Sequence, residues 1–115
     1  ATTALAAWLH IGASVARAGL RKLVIVSSHG GNRDLMAVCA RDLRIRHGLL
    51  AVTTSWRFFG VPADTFGALD VAHGIHAGEI ETSLMLHFRP DLVDREKAGR
   101  FVPVAAQMEG DYALL

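Results

Sequence analysis

An apolar run that ends at a glycine turn constrains this chain more than any other feature. The stretch "RKLVIVSS", residues 21–28, is continuously hydrophobic and rich in β-branched residues. That pattern is typical of a strand covered on both faces in a parallel sheet. The run stops at "HGGN", residues 29–32, and a helical pattern begins at Arg33. A strand, a tight turn and a helix in immediate succession favour an α/β fold.

The helix after the turn is predicted over residues 33–47. Leu35, Cys39 and Leu43 lie on one stripe, and the charged residues lie mainly off it. Gly48 is a typical helix stop. The following "LLAVTTSW" has the composition of a second strand. Strand, helix and strand in this order predict a βαβ unit with parallel strands and a right-handed crossover.

The remaining segments are read from periodicity and from breaker residues. Residues 3–18 predict a helix that ends at Gly19. Residues 57–75 hold four glycines or prolines and predict a loop at the active surface, with its three phenylalanines kept out of solvent. "GEIETSLMLHF" predicts a helix closed by Pro90, and coil is expected after Phe101.

The bulk properties exclude several classes of function. The 115 residues carry a net charge of +1 with both signs interspersed, so no nucleic-acid or anionic-membrane partner is expected. The single cysteine, Cys39, allows no intrachain disulfide and favours a reducing, cytoplasmic location. The apolar N-terminal segment contains His10 and Arg17 at helical spacing, which argues against a membrane or secretory segment.

His29 is the first candidate for chemistry, because it follows a strand where parallel α/β sheets bind their ligands. Gly30 and Gly31 allow a sharp turn and close approach to another group. Asn32 is a natural N-cap for the helix. The alternative is that "SHGGN" is turn chemistry alone, beside a helix N-terminus able to bind an anion. Position and residue type leave both readings open.

The second candidate is "HAGEIETS", residues 76–83. At a helix start, His76 and Glu79 are three residues apart and would share a face, with Glu81 pointing elsewhere. A histidine and a carboxylate suit Zn²⁺, Mn²⁺ or Fe²⁺. The alternative is that acidic residues in a first helical turn only complement the helix dipole. His73 could line the same cleft or simply be solvated.

The two motifs together resemble the creatininase (creatinine amidohydrolase) family. "LVIVSSHGGNRDL" followed by "HAGEIETSLMLHFRPDLVD" carries the resemblance, which covers the chain from about Gly19 to Val102. It implies a three-layer α/β/α sandwich with a mainly parallel sheet, often assembled as homo-hexamers. It also implies a metal-dependent enzyme with two divalent ions (Zn, Mn or Fe). Such an enzyme uses a metal-activated water to cleave a non-peptide C–N bond in a small amide-like or formamide substrate.

The resemblance also implies roles for individual residues. His29 matches a metal-binding histidine, and His76 matches an active-site histidine that binds substrate or transfers a proton. The creatininase motif has a glutamate where this chain has Gly31, and it lacks the glutamate that stands here as Glu79. We therefore expect Glu79 to replace that ligand. Glu81 is expected to support a ligand or bond to the helix end.

Some departures from the family limit these expectations. Ala72 stands where creatininase has an aromatic residue, which disfavours creatinine as the substrate. The family's E-x-H-G-x-H-L-P-x-x-T-D metal-ligand segment and its C-terminal region do not occur in the sequence. Residues 1–115 are thus expected to be one partial domain, inactive by itself. The alternatives are a peptidase-like enzyme of peptide-cofactor maturation and a metal-free binding or assembly module.

Overall fold

The apolar run, the turn and the helix fold as the sequence predicts. The structure, a computed structural model, describes residues 1–112 and divides into two compact units, Ala1–Gly60 (unit 1) and Val61–Leu115 (unit 2). The expectation of one partial domain over residues 1–115 stays a prediction. Unit 1 contains four regular elements: α1 Thr2–Arg17, β1 Lys22–Ser27, α2 Arg33–His47 and β2 Leu50–Ser55.

The two strands of unit 1 pair in parallel, with Val24 opposite Val52. This confirms the α/β class and the βαβ unit. Helix α2 has the predicted bounds and ends at Gly48, whose φ of 62° is left-handed and whose N–H bonds to the carbonyl of Arg44. A residue without a Cβ reaches that conformation without strain. The turn glycine therefore sets the return of the chain into β2.

The core of unit 1 lies between its helices and one face of the sheet. Cys39 and Leu43 of α2 are fully buried, with Leu49 and Ala51 beside them. Gly12 of α1 lies against Leu43 so closely that a Cβ there would collide with the leucine methyl groups. The missing side chain thus lets α1 approach α2. Full burial of a leucine contributes about 2 to 3 kcal/mol.

The prediction that the first strand is covered on both faces is wrong for the described residues. Leu23 and Ile25 pack on the core, whereas Val24 is 60% exposed and Val26 is 42% exposed. The reason is the side-chain alternation of a strand: the helices of unit 1 cover only the face that carries Leu23 and Ile25. The opposite face is apolar and open, which a parallel sheet tolerates poorly.

Cys39 packs as a small hydrophobic residue, as its place on the apolar stripe of α2 indicates. Burial raises the pKa of its thiol, and the nearby Asp42 carboxylate raises it further. Because the raised pKa disfavours the thiolate in the folded state, Cys39 lowers the free energy of unfolding as the pH rises. Its contribution to stability is complete below the unfolded-state pKa of about 8.5 and decreases above it.

We expect Cys39 to resist alkylation in the native protein and to react readily in denaturant, because only the exposed thiolate is nucleophilic. Mass spectrometry of the peptide that contains Cys39, after iodoacetamide treatment at pH 8, measures this. Equal modification with and without denaturant would contradict the burial.

Unit 2 contains three α-helices among the described residues: α3 Ala68–His73, α4 Glu79–Phe88 and α5 Val104–Met108. The helix that begins at "GEIETS" is confirmed. Helix α3 lies in the predicted loop and α5 in the predicted coil, so both expectations are wrong there. Helices of six and five residues are too short to show a helical period in sequence.

The phenylalanines at the end of unit 1 also differ from expectation. Phe58 and Phe59 are each 74% exposed, although the sequence predicted that they would be shielded. They lie in a single 3-10 turn, Trp56–Phe59, which is too short to bury a face.

No helix among residues 1–112 is long and apolar enough to cross a bilayer.

Candidate active site

His29 lies just after β1, where a network around Ser27 fixes the backbone. The Ser27 hydroxyl is buried, donates to the His29 carbonyl at 3.0 Å and lies 3.2 Å from the His29 N–H, which donates to it. The Asn32 amide reaches the same hydroxyl at 3.5 Å. Asn32 directly precedes α2, as predicted, but its side chain makes no capping bond. One serine thus orders the whole turn.

The His29 ring bends back over the turn. The backbone N–H of Gly31 donates to Nδ1 of His29 at 3.1 Å. A Cβ on Gly31 would lie 2.9 Å from Cε1 of that ring, inside van der Waals contact. Any larger residue at position 31, such as the glutamate of creatininase, would therefore displace the ring. Gly30 has open space around it, so only Gly31 carries this constraint.

The protonation of His29 follows from this contact. Because Nδ1 accepts a hydrogen bond, the proton of the neutral ring is assigned to Nε2. Histidines that bind metal through Nε2 usually donate from Nδ1 to a carbonyl or carboxylate. Metal binding through Nε2 would therefore require the ring to leave the Gly31 N–H. The described conformation is that of a turn histidine with a ring nitrogen close to the backbone.

In unit 2 the "HAG" residues form a turn before α4 rather than part of it. Helix α4 begins at Glu79, so His76 lies outside the helix. The expectation that His76 and Glu79 share a helical face is therefore not met. Instead, Nδ1 of His76 lies 3.3 Å from Oε1 of Glu81, and Oε2 of Glu81 accepts the Ala77 N–H at 2.9 Å. Glu81 thus bonds both to the turn before the helix and to the imidazole, and its expected role in supporting a ligand stays a prediction.

Glu79 and Asp70 connect the starts of α3 and α4. Oε2 of Glu79 accepts the backbone N–H of Gly67, at the start of α3, at 2.7 Å. Oδ2 of Asp70, in α3, accepts the N–H of Ile80 in the first turn of α4 at 3.2 Å. The sequence alone does not single out Asp70. A carboxylate bonded to a backbone group ten residues away leaves no local pattern.

His73 has a different partner from the other histidines of the motif region. Its Nε2 lies 3.1 Å from Oε2 of Glu109, just after α5, and its side chain is 21% exposed. The contact links the end of α3 to the C-terminal segment. Its predicted place near the substrate stays a prediction, and the structure gives it a role in packing unit 2.

Unit 2 also contains a cleft of about 850 Å³. Asp70 and Glu79 line it together with residues from the 93–103 segment, including Phe101 and Arg100. His76 is not part of this lining among the described residues. The cleft is thus formed around the two carboxylates that join α3 to α4. Its mixed apolar and charged lining suits a small polar organic molecule.

An exposed ion pair lies at the end of α4, outside the candidate site. At the end of α4, two hydrogen bonds from the Arg89 guanidinium lower the pKa of Asp91 and raise the pKa of Arg89. The groups are exposed and form a surface ion pair. The candidate site is therefore defined by geometry and donor chemistry.

The predicted metal ligands fit a divalent ion in type but not in number. Imidazole nitrogen and carboxylate oxygen suit Zn²⁺, Mn²⁺ and Fe²⁺. Within residues 1–112, however, no three His, Cys, Asp or Glu side chains converge to hold a metal. Glu79 already accepts the Gly67 N–H, although a carboxylate has further lone pairs. Among the described residues, neither His29 nor Glu79 belongs to a complete metal shell.

The fold and the two motifs define an α/β protein with polar residues gathered at a strand end and at a helix start. A family model described as Creatininase, creatinine amidohydrolase, matches residues 1–113. The chain therefore belongs to the creatininase family.

Two curated proteins are similar to it. A mycofactocin precursor peptide peptidase of Mycobacterium ulcerans (strain Agy99) is 33% identical over 86 residues, covering 73% of this chain and 29% of the relative. A creatinine amidohydrolase of Pseudomonas putida is 34% identical over 97 residues, covering 72% and 36%. The chain thus spans about a third of each relative. No solved structure matches significantly.

Proposed function

We propose that this chain is part of a metal-dependent amidohydrolase that cleaves a non-peptide C–N bond of an amide-like or formamide substrate. Family membership supports hydrolysis of this bond class. The observation that carries the proposal is the contact between His76 and Glu81, 3.3 Å apart in the turn before α4. A histidine oriented by a carboxylate is a common device for moving protons at neutral pH.

In this proposal His76 is the proton donor to the departing nitrogen. Glu81 holds the ring through Nδ1. The second Glu81 oxygen bonds to the Ala77 N–H, so the carboxylate is fixed at both oxygens. Proton transfer of this kind contributes about 10²- to 10⁴-fold to rate.

We propose His29 and Glu79 as two ligands of the divalent metal, with Zn, Mn or Fe as candidates and two ions by family resemblance. Further ligands would come from outside residues 1–112, since these residues hold no complete cluster. When bound, such a metal supplies a water of lowered pKa at the scissile carbon. Ser27 would hold the backbone of His29 in the turn. Homo-oligomeric assembly and a cytoplasmic location remain part of the proposal.

The test uses the full-length protein, stripped with a chelator and reloaded with Zn²⁺, Mn²⁺ or Fe²⁺, on a panel of cyclic amides and formamides. We expect metal-dependent hydrolysis, and a loss of about 10²- to 10⁴-fold in kcat for His76→Ala. His87→Ala is the matched control, because His87 lies in the last turn of α4 beside Phe88, away from the His76 turn. A His76→Ala enzyme within twofold of wild type would contradict the assignment.

A peptidase is the second candidate, favoured by the similarity to the mycofactocin precursor peptide peptidase. The same preparations are therefore assayed on peptides by mass spectrometry. Cleavage of a peptide bond without turnover of small amides would select the peptidase. A metal-loaded protein that binds small amides or peptides but cleaves neither would indicate a binding or assembly module.

A further inference from the structure

The loop that carries His76 is held at both of its ends by one residue, Asp70. The loop runs from residue 74 to residue 78 and joins α3 to α4. We propose that Asp70 is a positioning residue that sets the place of His76 relative to the start of α4. The proposal rests on the proposed role of His76, and nothing in the sequence pattern assigns Asp70 to the site.

The hydrogen bonds of Asp70 reach both ends of the loop. Its backbone carbonyl accepts the Gly74 N–H at 2.8 Å, where the loop leaves α3. Its carboxylate oxygen Oδ2 accepts the Ile80 N–H at 3.2 Å, just after the loop enters α4. The Gly74 bond is the last backbone bond of α3 and would form with any residue at position 70, whereas the bond to Ile80 depends on the Asp70 carboxylate. Movement of either end would require one of these bonds to break.

Two glycines let the loop lie directly on Asp70. A Cβ on Gly74 would collide with the backbone oxygen of Asp70, and a Cβ on Gly78 would collide with its carboxylate. Neither position has a left-handed φ, so close approach alone explains the glycines. The half-buried Asp70 side chain therefore packs against the last residue of the "HAG" turn.

The backbone next to His76 is in a conformation that requires support. Ala77 has a φ of 58°, in the left-handed region that residues with a Cβ seldom adopt. Its N–H bonds to Oε2 of Glu81 at 2.9 Å, from within α4. Such a conformation persists where surrounding contacts over-determine it. Asp70 supplies the contacts at the loop ends, and Glu81 supplies those in its interior.

The consequence for His76 is geometric. Glu81 can reach Nδ1 of His76 only while the turn keeps its position against the first turn of α4. Asp70 contributes to that position because its carboxylate packs against Gly78 and accepts the Ile80 N–H. Loss of the Asp70 carboxylate would not change His76 itself but would allow its loop to shift. The imidazole would then no longer keep the position proposed for proton transfer to the substrate.

The test compares three variants of the full-length protein. For Asp70→Ala we expect kcat on the best amide or peptide substrate to fall about 10- to 100-fold, the effect of a misplacement of about 1 Å, with KM little changed. Asp70→Asn keeps an amide oxygen for the Ile80 N–H and should restore most of kcat. Asp91→Ala is the matched control, because Asp91 is an exposed aspartate of unit 2 that pairs with Arg89 at 2.6 Å and is not among the residues that line the cleft.

Two readouts do not depend on turnover. Hydrogen exchange followed by mass spectrometry should accelerate in peptides covering residues 74–82 of Asp70→Ala and not in Asp91→Ala. Acylation of His76 by diethyl pyrocarbonate should also accelerate in Asp70→Ala, because the ring loses its contact with Glu81. If Asp70→Ala fails to fold, Gly78→Ala serves instead, since its methyl group would push the carboxylate off Ile80.

The outcomes separate this inference from the proposed function. Unchanged exchange and acylation in Asp70→Ala overturn it, as does an Asn variant that is as impaired as the Ala variant. Faster exchange with an unchanged kcat also overturns it, provided that His76→Ala is inactive. If His76→Ala is fully active, the proposed function fails, and the exchange and acylation rates alone decide whether Asp70 positions His76.

Discussion

Replacing His29 by alanine is expected to abolish hydrolysis and to lower the metal content of the full-length protein. Loss even of a group that only supports a ligand lowers affinity or activity by about 10- to 100-fold, and loss of the ligand itself should exceed that. The His29 side chain is exposed, and its Nδ1 accepts the N–H of the neighbouring Gly31. Its removal from this exposed position should change the thermal midpoint much less than the loss of a core residue.

The measurements for His29→Ala are metal content by mass spectrometry, kcat on the best substrate, and the thermal midpoint. His47→Ala is a matched control, because His47 is an exposed histidine at the end of α2 in the same unit. Full metal occupancy and full activity in His29→Ala would rule out the ligand role. The turn around Ser27 would then be structural only.

Replacing Leu43 by alanine is expected to lower the free energy of unfolding by about 2 to 5 kcal/mol, the range for a buried leucine that leaves a cavity. Leu43 is 1% exposed and contacts the glycine face of α1. Because Gly12 has no side chain, it cannot fill the space that Leu43 leaves. The loss should therefore lie well above that of an ordinary surface substitution.

Urea denaturation of the full-length protein, monitored by circular dichroism, measures the effect of Leu43→Ala. Ile45→Ala is the matched control, because Ile45 lies in the same helix and is 72% exposed. Apart from the difference in helix propensity between isoleucine and alanine, the control should change the unfolding free energy by less than about 0.5 kcal/mol. Equal losses in the two variants would contradict the packing of α1 on α2.

The sequence was sufficient to predict the βαβ unit because its signals are local. A continuous apolar run, a helical stripe that includes Leu43, and a stop at Gly48 each identify an element without knowledge of its neighbours. The open face of β1 was not predictable in this way. The residues that cover a strand are distant in sequence, and Val24 has the same composition whether covered or exposed.

The candidate site was predictable in its residues more than in its pairings. The motifs single out His29 and His76, and the structure places them at a strand end and before a helix. Helix α4 begins three residues after His76, and this small shift exchanges Glu79 for Glu81 as its neighbour. The sequence does not indicate the contact of Asp70, because its partner is a backbone N–H rather than a side chain.

In α3 and α4, a carboxylate of each helix bonds to the start of the other helix, and this arrangement affects the cooperativity of their folding. Helices of six and ten residues are marginal in isolation, because nucleating a helix is unfavourable and few bonds follow. Glu79 of the second helix bonds to the start of the first, and Asp70 of the first bonds to the start of the second. Each helix therefore supplies a hydrogen-bond acceptor to the first turn of the other helix. The pair should open and close as one unit, so that His76 is ordered only when both helices are formed.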